Sequence, residues 1–314
     1  MKVAFWDNCL CERGTTISLF DYAFYNQTLL GNESIIMYNT TRIENNNVVI
    51  DKFKKHFTVI GVDNFGKVDP ILLNEKCDVF YIIKAGENER QISRVIKTVV
   101  HCVFNCSQPH GNIYSSIAPW VNGNNGQYPV VPHMINLPKH NDNMRSELNI
   151  PETAVVFGGY GGAGNFSIKF THNVVYEIAK NNPTIYFLFA NFNKFCPDLP
   201  NIIHLPTEID LYKKVKFINT TNAMLWARCD GETFGIAIGE FSTLNKPVIS
   251  MKIGDLSHVH LLGNKAIWYN DSNSLTNILL NFNPEIEKNK DWNAYTDYTP
   301  EKVMEIFKHV YLTN

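Results

Sequence analysis

The sequence predicts an α/β protein made of two doubly wound parallel-sheet domains in tandem. Three observations carry that expectation. Short β-branched and aromatic runs alternate with longer amphipathic segments, the pattern of strand–helix–strand units. The alternation occurs twice, on either side of a stretch at 105–151 rich in Asn, Gly, Pro and Ser. A chain of 314 residues, 45% apolar and 18% charged, suits two globular domains of ~100–200 residues each.

The first domain, 1–132, opens with a strand at Val3–Trp6 and a loop through Gly14. A helix over Thr16–Leu30 follows, with Leu19, Phe20, Ala23, Phe24, Leu29 and Leu30 on its apolar face and Gly31 as its stop. Ser34–Tyr38, Phe57–Val62, Val79–Ile83 and Thr98–Val103 read as strands. Val49–His56, Pro70–Glu75 and Glu89–Ile96 read as crossover helices. Residues 105–128 read as irregular, and Pro129, Pro132, Pro138 and Pro151 mark an extended connection.

The second domain, 133–296, alternates in the same way. Strands are expected at Val155–Phe157, Thr184–Phe189, Ile202–Leu205, Ala223–Ala227, Val248–Met251 and Ala266–Tyr269. Helices are expected at Ser167–Lys180, Asp210–Phe217, Thr233–Leu244 and Leu275–Phe282. A last helix, Pro300–Tyr311 within 297–314, is expected to return to the first domain.

Composition excludes several classes. Net charge is −2 with neutral His, so no broad positive field gathers nucleic acid or an anionic membrane. No apolar run approaches the ~20 residues that cross a bilayer, which leaves peripheral membrane contact open. Only four apolar residues, Val3, Ala4, Phe5 and Trp6, stand between Lys2 and Asp7, short of a signal-peptide core, so a cytoplasmic location is expected. Seven cysteines with no CxxC pair read as buried free thiols, with no metal site expected.

Chemistry concentrates at 228–249, RCDGETFGIAIGEFSTLNKPVI. A strand ends near Arg228 and a helix is expected to start near Thr233, where free N–H groups and the helix dipole suit an anion. Glu232 and Glu240 are eight residues apart, about two helical turns. Glu240 lies among Ile236, Ile238, Phe241 and Leu244, where a carboxylate is costly unless hydrogen-bonded. A ribose diol would satisfy it; so would a Lys or Arg partner, with Glu232 and Thr233 as plain caps.

A second signal is GGYGGAGNFSIK at 158–169, five glycines between strand and helix. The N–H groups of such a loop, at Gly161 and Gly162, can approach phosphate oxygens, with Lys169 as a nearby cation. Turns use glycine equally. A third is NCLCERGTT at 8–16, where Gly14 and Thr15 precede a helix and Thr15 or Thr16 can equally be its cap. His101 lies in the apolar strand VVHCVF, where a histidine is also a common hydrogen-bonded core residue, and His133, in the connecting segment VVPHMINLP, reads as structural.

The 228–249 block resembles the Glu-x7-Glu motif of retaining GT-B glycosyltransferases, close to glycosyltransferase family 4. It matches at Glu232, Phe234, Gly235, Glu240, Pro247 and Val248, and departs at Thr233 and Asn245, where the family has Gly. The resemblance implies the GT-B fold, two Rossmann-like domains facing a central cleft. It implies that Glu232 and the N–H groups of Thr233, Phe234 and Gly235 hold the donor sugar, and that Glu240 takes the nucleotide ribose. Arg13-Gly14-Thr15 stands where the family has a Gly-rich loop near donor phosphate, and His101 where a histidine faces the donor sugar. Gly159 stands in the place of the family's phosphate-clamping Arg, which leaves Lys169, with Arg228 as a substitute.

The implied activity is transfer of a sugar, with retention, from a nucleotide-diphosphate sugar to a glycan, lipid or protein acceptor, with no cofactor and no metal. Two alternatives go with it: a catalytically silent nucleotide- or glycan-binding GT-B protein, and a GT-B epimerase or phosphorylase.

Overall fold

A computed structural model of the chain describes residues 1–313. They divide into two compact units, Met1–Met134 joined by the chain from Asp297 onward, and Ile135–Thr296.

The first unit begins with β1 (Lys2–Asp7), α1 (Gly14–Thr28), β2 (Glu33–Asn39), α2 (Asn47–Lys54) and β3 (Thr58–Val62). It continues through α3 (Val68–Asn74), β4 (Val79–Lys84), β5 (Lys97–Cys102) and β6 (Ile113–Ser116). All six strands are parallel, in the order β3-β2-β1-β4-β5-β6. β4 is buried along its whole length, Lys84 included, as a central strand covered on both faces must be. On α1, Leu19, Tyr22, Ala23 and Asn26 recur at helical spacing and are buried. The helix ends because Gly31 adopts φ +67°, a turn that a side chain resists.

Two expectations fail in this unit. Glu89–Ile96 is not helical. Asp69 of α3 accepts from Ser93 Oγ and from the Arg94 amide, while the Ser93 amide donates to Thr98 Oγ1. These side chains take the groups a helix would need, and Arg90 sits at φ +59°. Conversely, Ile113–Ser116, inside a stretch expected to be irregular, forms β6 and pairs with Val99–Cys102.

The second unit runs β7 (Val155–Tyr160), α4 (Lys169–Asn181), β8 (Ile185–Ala190), β9 (Ile202–Leu205), α5 (Leu211–Thr220) and β10 (Ala223–Leu225). Then come β11 (Gly231–Glu232), α6 (Ile236–Thr243), β12 (Val248–Met251), β13 (Asp255–Leu256) and α7 (Ser257–Leu262). It closes with β14 (Ile267–Tyr269), α8 (Ser272–Leu280) and α9 (Pro284–Glu287). Its main sheet is again six parallel strands, β14-β12-β10-β7-β8-β9, beside a small β11-β13 ribbon.

The chain then reaches α10 (Pro300–Phe307) and a π-helical turn at Lys308–Leu312. Phe307 stacks on Tyr22 at 5.4 Å, which packs α10 into the first unit. No helix among the described residues is long and apolar enough to cross a membrane. All seven cysteines are free, and Cys9, Cys77, Cys102 and Cys106 are buried.

Candidate functional site

In a doubly wound sheet the chain reverses its direction of growth at one point, and the diverging loops leave a crevice at the strand carboxyl ends. In the second unit that point lies between β7 and β10. The loop Gly161–Ile168 follows β7, and the segment Trp226–Gly235 follows β10. The amides of Ser167 and Ile168 donate to Ala227 O, and the Cys229 amide donates to Ser167 Oγ, so the two loops are tied together.

Arg228 and Glu232 meet there. Arg228 Nη1 donates to Glu232 Oε1 at 3.0 Å. Burial pushes the Glu232 carboxyl up from its usual range, and the Arg228 guanidinium opposes that shift. Arg228 Nε is buried without a hydrogen-bond partner and lies 3.7 Å from Asp230 Oδ2. Glu232 is held in place by the pairing of β11 with β13, which opposes Glu232 to Leu256. Gly231 makes this possible: at φ +69°, a Cβ there would lie 2.1 Å from Asp255 O.

The helix expected from Thr233 begins instead at Ile236. Gly235 takes φ +79° and ends the β11 segment with a left-handed turn. The first helical hydrogen bond runs from the Gly239 amide to Gly235 O, so the amides of Ile236, Ala237 and Ile238 open α6. The N–H groups of Thr233, Phe234 and Gly235 precede the helix rather than start it. Phe234 is 2% exposed, its ring edge-on to Tyr295, and its carbonyl accepts from Tyr295 Oη at 2.7 Å. Phe234 therefore anchors the turn from inside.

Glu240 is buried, and both of its oxygens have partners. Lys214 Nζ donates to Oε1 at 2.8 Å and Tyr160 Oη to Oε2 at 2.5 Å. An ionised carboxylate offers about four acceptor sites, so each oxygen keeps capacity for one more donor. Burial pushes the Tyr160 phenol far up, and the Glu240 carboxylate adds to that shift, so the phenol stays a donor. The sequence offered a Lys or Arg partner as an alternative to the ribose without placing it, and Lys214 fills that part; Tyr160 was missed. The signal for Lys214 was its helical spacing from the buried Phe217 and Ile218.

The glycine loop is shorter than expected. β7 runs on to Tyr160, so Gly158 and Gly159 belong to the strand. A Cβ on Gly159 would lie 2.9 Å from Leu225 O, so this position has no room for the arginine of the family pattern. Gly161 and Gly162 do lie in the loop, with Gly161 O accepting from Asn191 Nδ2 at 2.7 Å. Lys169 is exposed at the first position of α4. A cation at a helix N-terminus works against the dipole, a placement that an anion at that terminus would offset.

The remaining candidates belong to the first unit. Gly14 is the first residue of α1, and Thr15 Oγ1 beside it is buried without a partner. The loop before them is built on Asp7, whose buried carboxylate accepts from Arg13 and from Thr16 Oγ1. Thr16 thus serves the loop, and α1 has no side-chain cap. His101, expected to face a donor sugar, is fully buried among Tyr22, Tyr81, His133 and Tyr311. Its Nδ1 is 2.6 Å from Tyr81 Oη, and burial pulls its pKa down to about 3. His101 is therefore a neutral imidazole in an aromatic core, with Nε2 buried and without a partner; the apolar run on both sides of it was the available signal for burial.

No family model matches the chain, and no curated protein does. Solved structures do. A glycosyltransferase from Rickettsia africae superposes with a TM-score of 0.72 at 14% identity, over 100% of this chain and 99% of that one. HepE from Anabaena, in complex with UDP-glucose, gives 0.72 at 13% identity, over 98% and 99%. The fold is GT-B. A putative UDP-N-acetylglucosamine 2-epimerase from Listeria monocytogenes shares it, with a TM-score of 0.64 at 12% identity over 100% and 97%. At such identities the likeness concerns the GT-B fold alone.

Proposed function

We propose that this GT-B protein is a glycosyltransferase that takes its sugar from a nucleotide-diphosphate donor, with retention, and passes it to a hydroxyl of a glycan, lipid or protein. The carrying observation is the Arg228–Glu232 pair, an enclosed carboxylate fixed by a guanidinium at the switch point of the second unit. The UDP-glucose held by HepE, on a fold that matches over the whole length, supports the donor class.

In this reading Glu232 orients the donor sugar through its hydroxyls, and Glu240 receives the ribose diol on the acceptor sites that Lys214 and Tyr160 leave. The bond from the anomeric carbon to the phosphate oxygen breaks as positive charge grows on the sugar and negative charge on the diphosphate. Lys169, Arg228 Nε and the amides that open α6 stabilise the leaving group, so the scheme requires no metal. The acceptor oxygen attacks from the face the phosphate leaves, and its proton passes to the departing phosphate oxygen. No covalent enzyme intermediate is formed.

The epimerase among the similar structures supports a second reading, in which the same donor reacts with no acceptor. Absence of an arginine at Gly159 favours a third, a silent nucleotide-binding protein. One experiment separates them: UDP-, GDP- and ADP-sugars are incubated with the protein, with and without acceptor glycans, and products are resolved by mass spectrometry. Acceptor-dependent release of nucleotide supports transfer; acceptor-independent isomerisation of the sugar overturns it in favour of epimerisation. A nucleotide that binds and never turns over leaves the silent protein.

A further inference from the structure

The first unit has its own switch point, between β1 and β4. β4 ends there in Lys84, whose side chain is 2% exposed. Its Nζ forms an ion pair with Glu89 Oε2 at 2.8 Å and makes no other hydrogen bond. Glu89 itself is half exposed, on the irregular segment that replaces the expected helix. A buried ammonium whose one ion-pair partner is a half-exposed carboxylate keeps donors for a ligand that can displace that carboxylate.

A second buried group belongs to the same loops. His110 is buried, its Nδ1 is 2.6 Å from Gln108 O, and its Nε2 has no partner. The carbonyl fixes the proton on Nδ1, which leaves Nε2 an acceptor. Burial holds the imidazole below its usual pKa, and Lys84 and Glu89 both act on it, in opposite directions. The loops are fastened together. Asn88 N donates to Gln108 Oε1, Tyr114 Oη donates to Gly86 O, and a Cβ on Gly86 would lie 1.7 Å from Asn105 O.

We infer that Lys84 and His110 form a subsite for an acidic, hydroxyl-bearing ligand, which the Glu89 carboxylate occupies in the free protein. Lys84 takes the carboxylate or phosphate of the ligand, displacing Glu89 to solvent, and His110 Nε2 accepts from a ligand hydroxyl. Identifying this ligand as the acceptor, an acidic sugar or a sugar phosphate, rests on the transferase reading; anion binding at Lys84 does not.

The test is calorimetric titration of the full chain with glucuronate, glucose 6-phosphate and neutral glucose, each beside UDP. Glu89→Gln should tighten binding of at least one acidic probe about tenfold, or 1.4 kcal/mol, because the competing carboxylate is gone. Lys84→Met should abolish it, and glucose should bind neither protein. Whichever acidic probe responds distinguishes a carboxylate ligand from a phosphate one. Unchanged or weaker acid binding by Glu89→Gln, or glucose binding as well as the acids, overturns the inference. Glu89 is half exposed, so its variant decides the matter even if Lys84→Met fails to fold. UDP binding without acid binding counts against this subsite alone, and acid binding without UDP binding counts against the donor reading alone.

Discussion

Lys214 Nζ lies 2.8 Å from Glu240 Oε1 inside the second unit, with both side chains nearly enclosed. The pair joins α5 to α6, and Tyr160 adds the end of β7 through the other carboxylate oxygen. Removing one member of such a pair leaves a buried charge. Lys214→Met should therefore cost about 3–5 kcal/mol in urea unfolding, and Lys214→Met with Glu240→Gln should regain most of it. A double variant no more stable than the single one would show that the pair is not what holds these elements.

The two glutamates of the motif should separate binding from turnover. Glu240→Ala should weaken nucleotide binding, read as loss of the thermal shift that a ligand at ~100 times its Kd produces, about 2.7 kcal/mol. Glu232→Gln should keep that shift and lower kcat by ~10²–10³, the usual effect of removing one preorganised stabilising group. Equal nucleotide affinity in wild type and Glu240→Ala would end the ribose assignment.

Gly239 has a packing role that the motif pattern does not show. A Cβ there would lie 2.7 Å from Tyr295 Cδ1 and 2.9 Å from Ile135 Cδ1. Tyr295 is held by its bond to Phe234 O, so the ring has little freedom to withdraw. Gly239→Ala should cost about 1–3 kcal/mol by overpacking, and an unaltered melting temperature would show that the ring yields.

Acid should destabilise the first unit through its buried histidines. His101 has a folded pKa of about 3, and His133 is also held well below its usual value by burial. Unfolded histidine titrates near ~6.5, so below that pH the unfolded chain binds protons the folded chain refuses. Stability is full above pH ~6.5 and falls as pH drops toward 3, by about 1.4 kcal/mol per pH unit for each such histidine. Urea midpoints at pH 7, 6 and 5 check this; a flat profile would mean that the core opens to solvent.

Much of the fold was legible because parallel strands buried on both faces must be apolar along their length. Val79–Ile83 and Phe187–Ala190 announce themselves in this way. Glu89–Ile96 misled because its fate depends on Asp69, distant in sequence, which captures Ser93 and Arg94. The start of α6 was misplaced because the β11–β13 pairing claims Glu232 through residues more than twenty positions away.

For the candidate site, local sequence determined the residue types and their order: Arg228 before Glu232, Gly235 at the turn, Glu240 five residues after it. Tertiary structure alone decided what each side chain meets. Glu240 found Lys214 and Tyr160, Gly159 lost the room for any side chain against Leu225, and His101 went into an aromatic core. The physical reason is range. Backbone preference and hydrophobic period act over a few residues, whereas desolvation and ion pairing depend on which distant strands and helices a fold brings together.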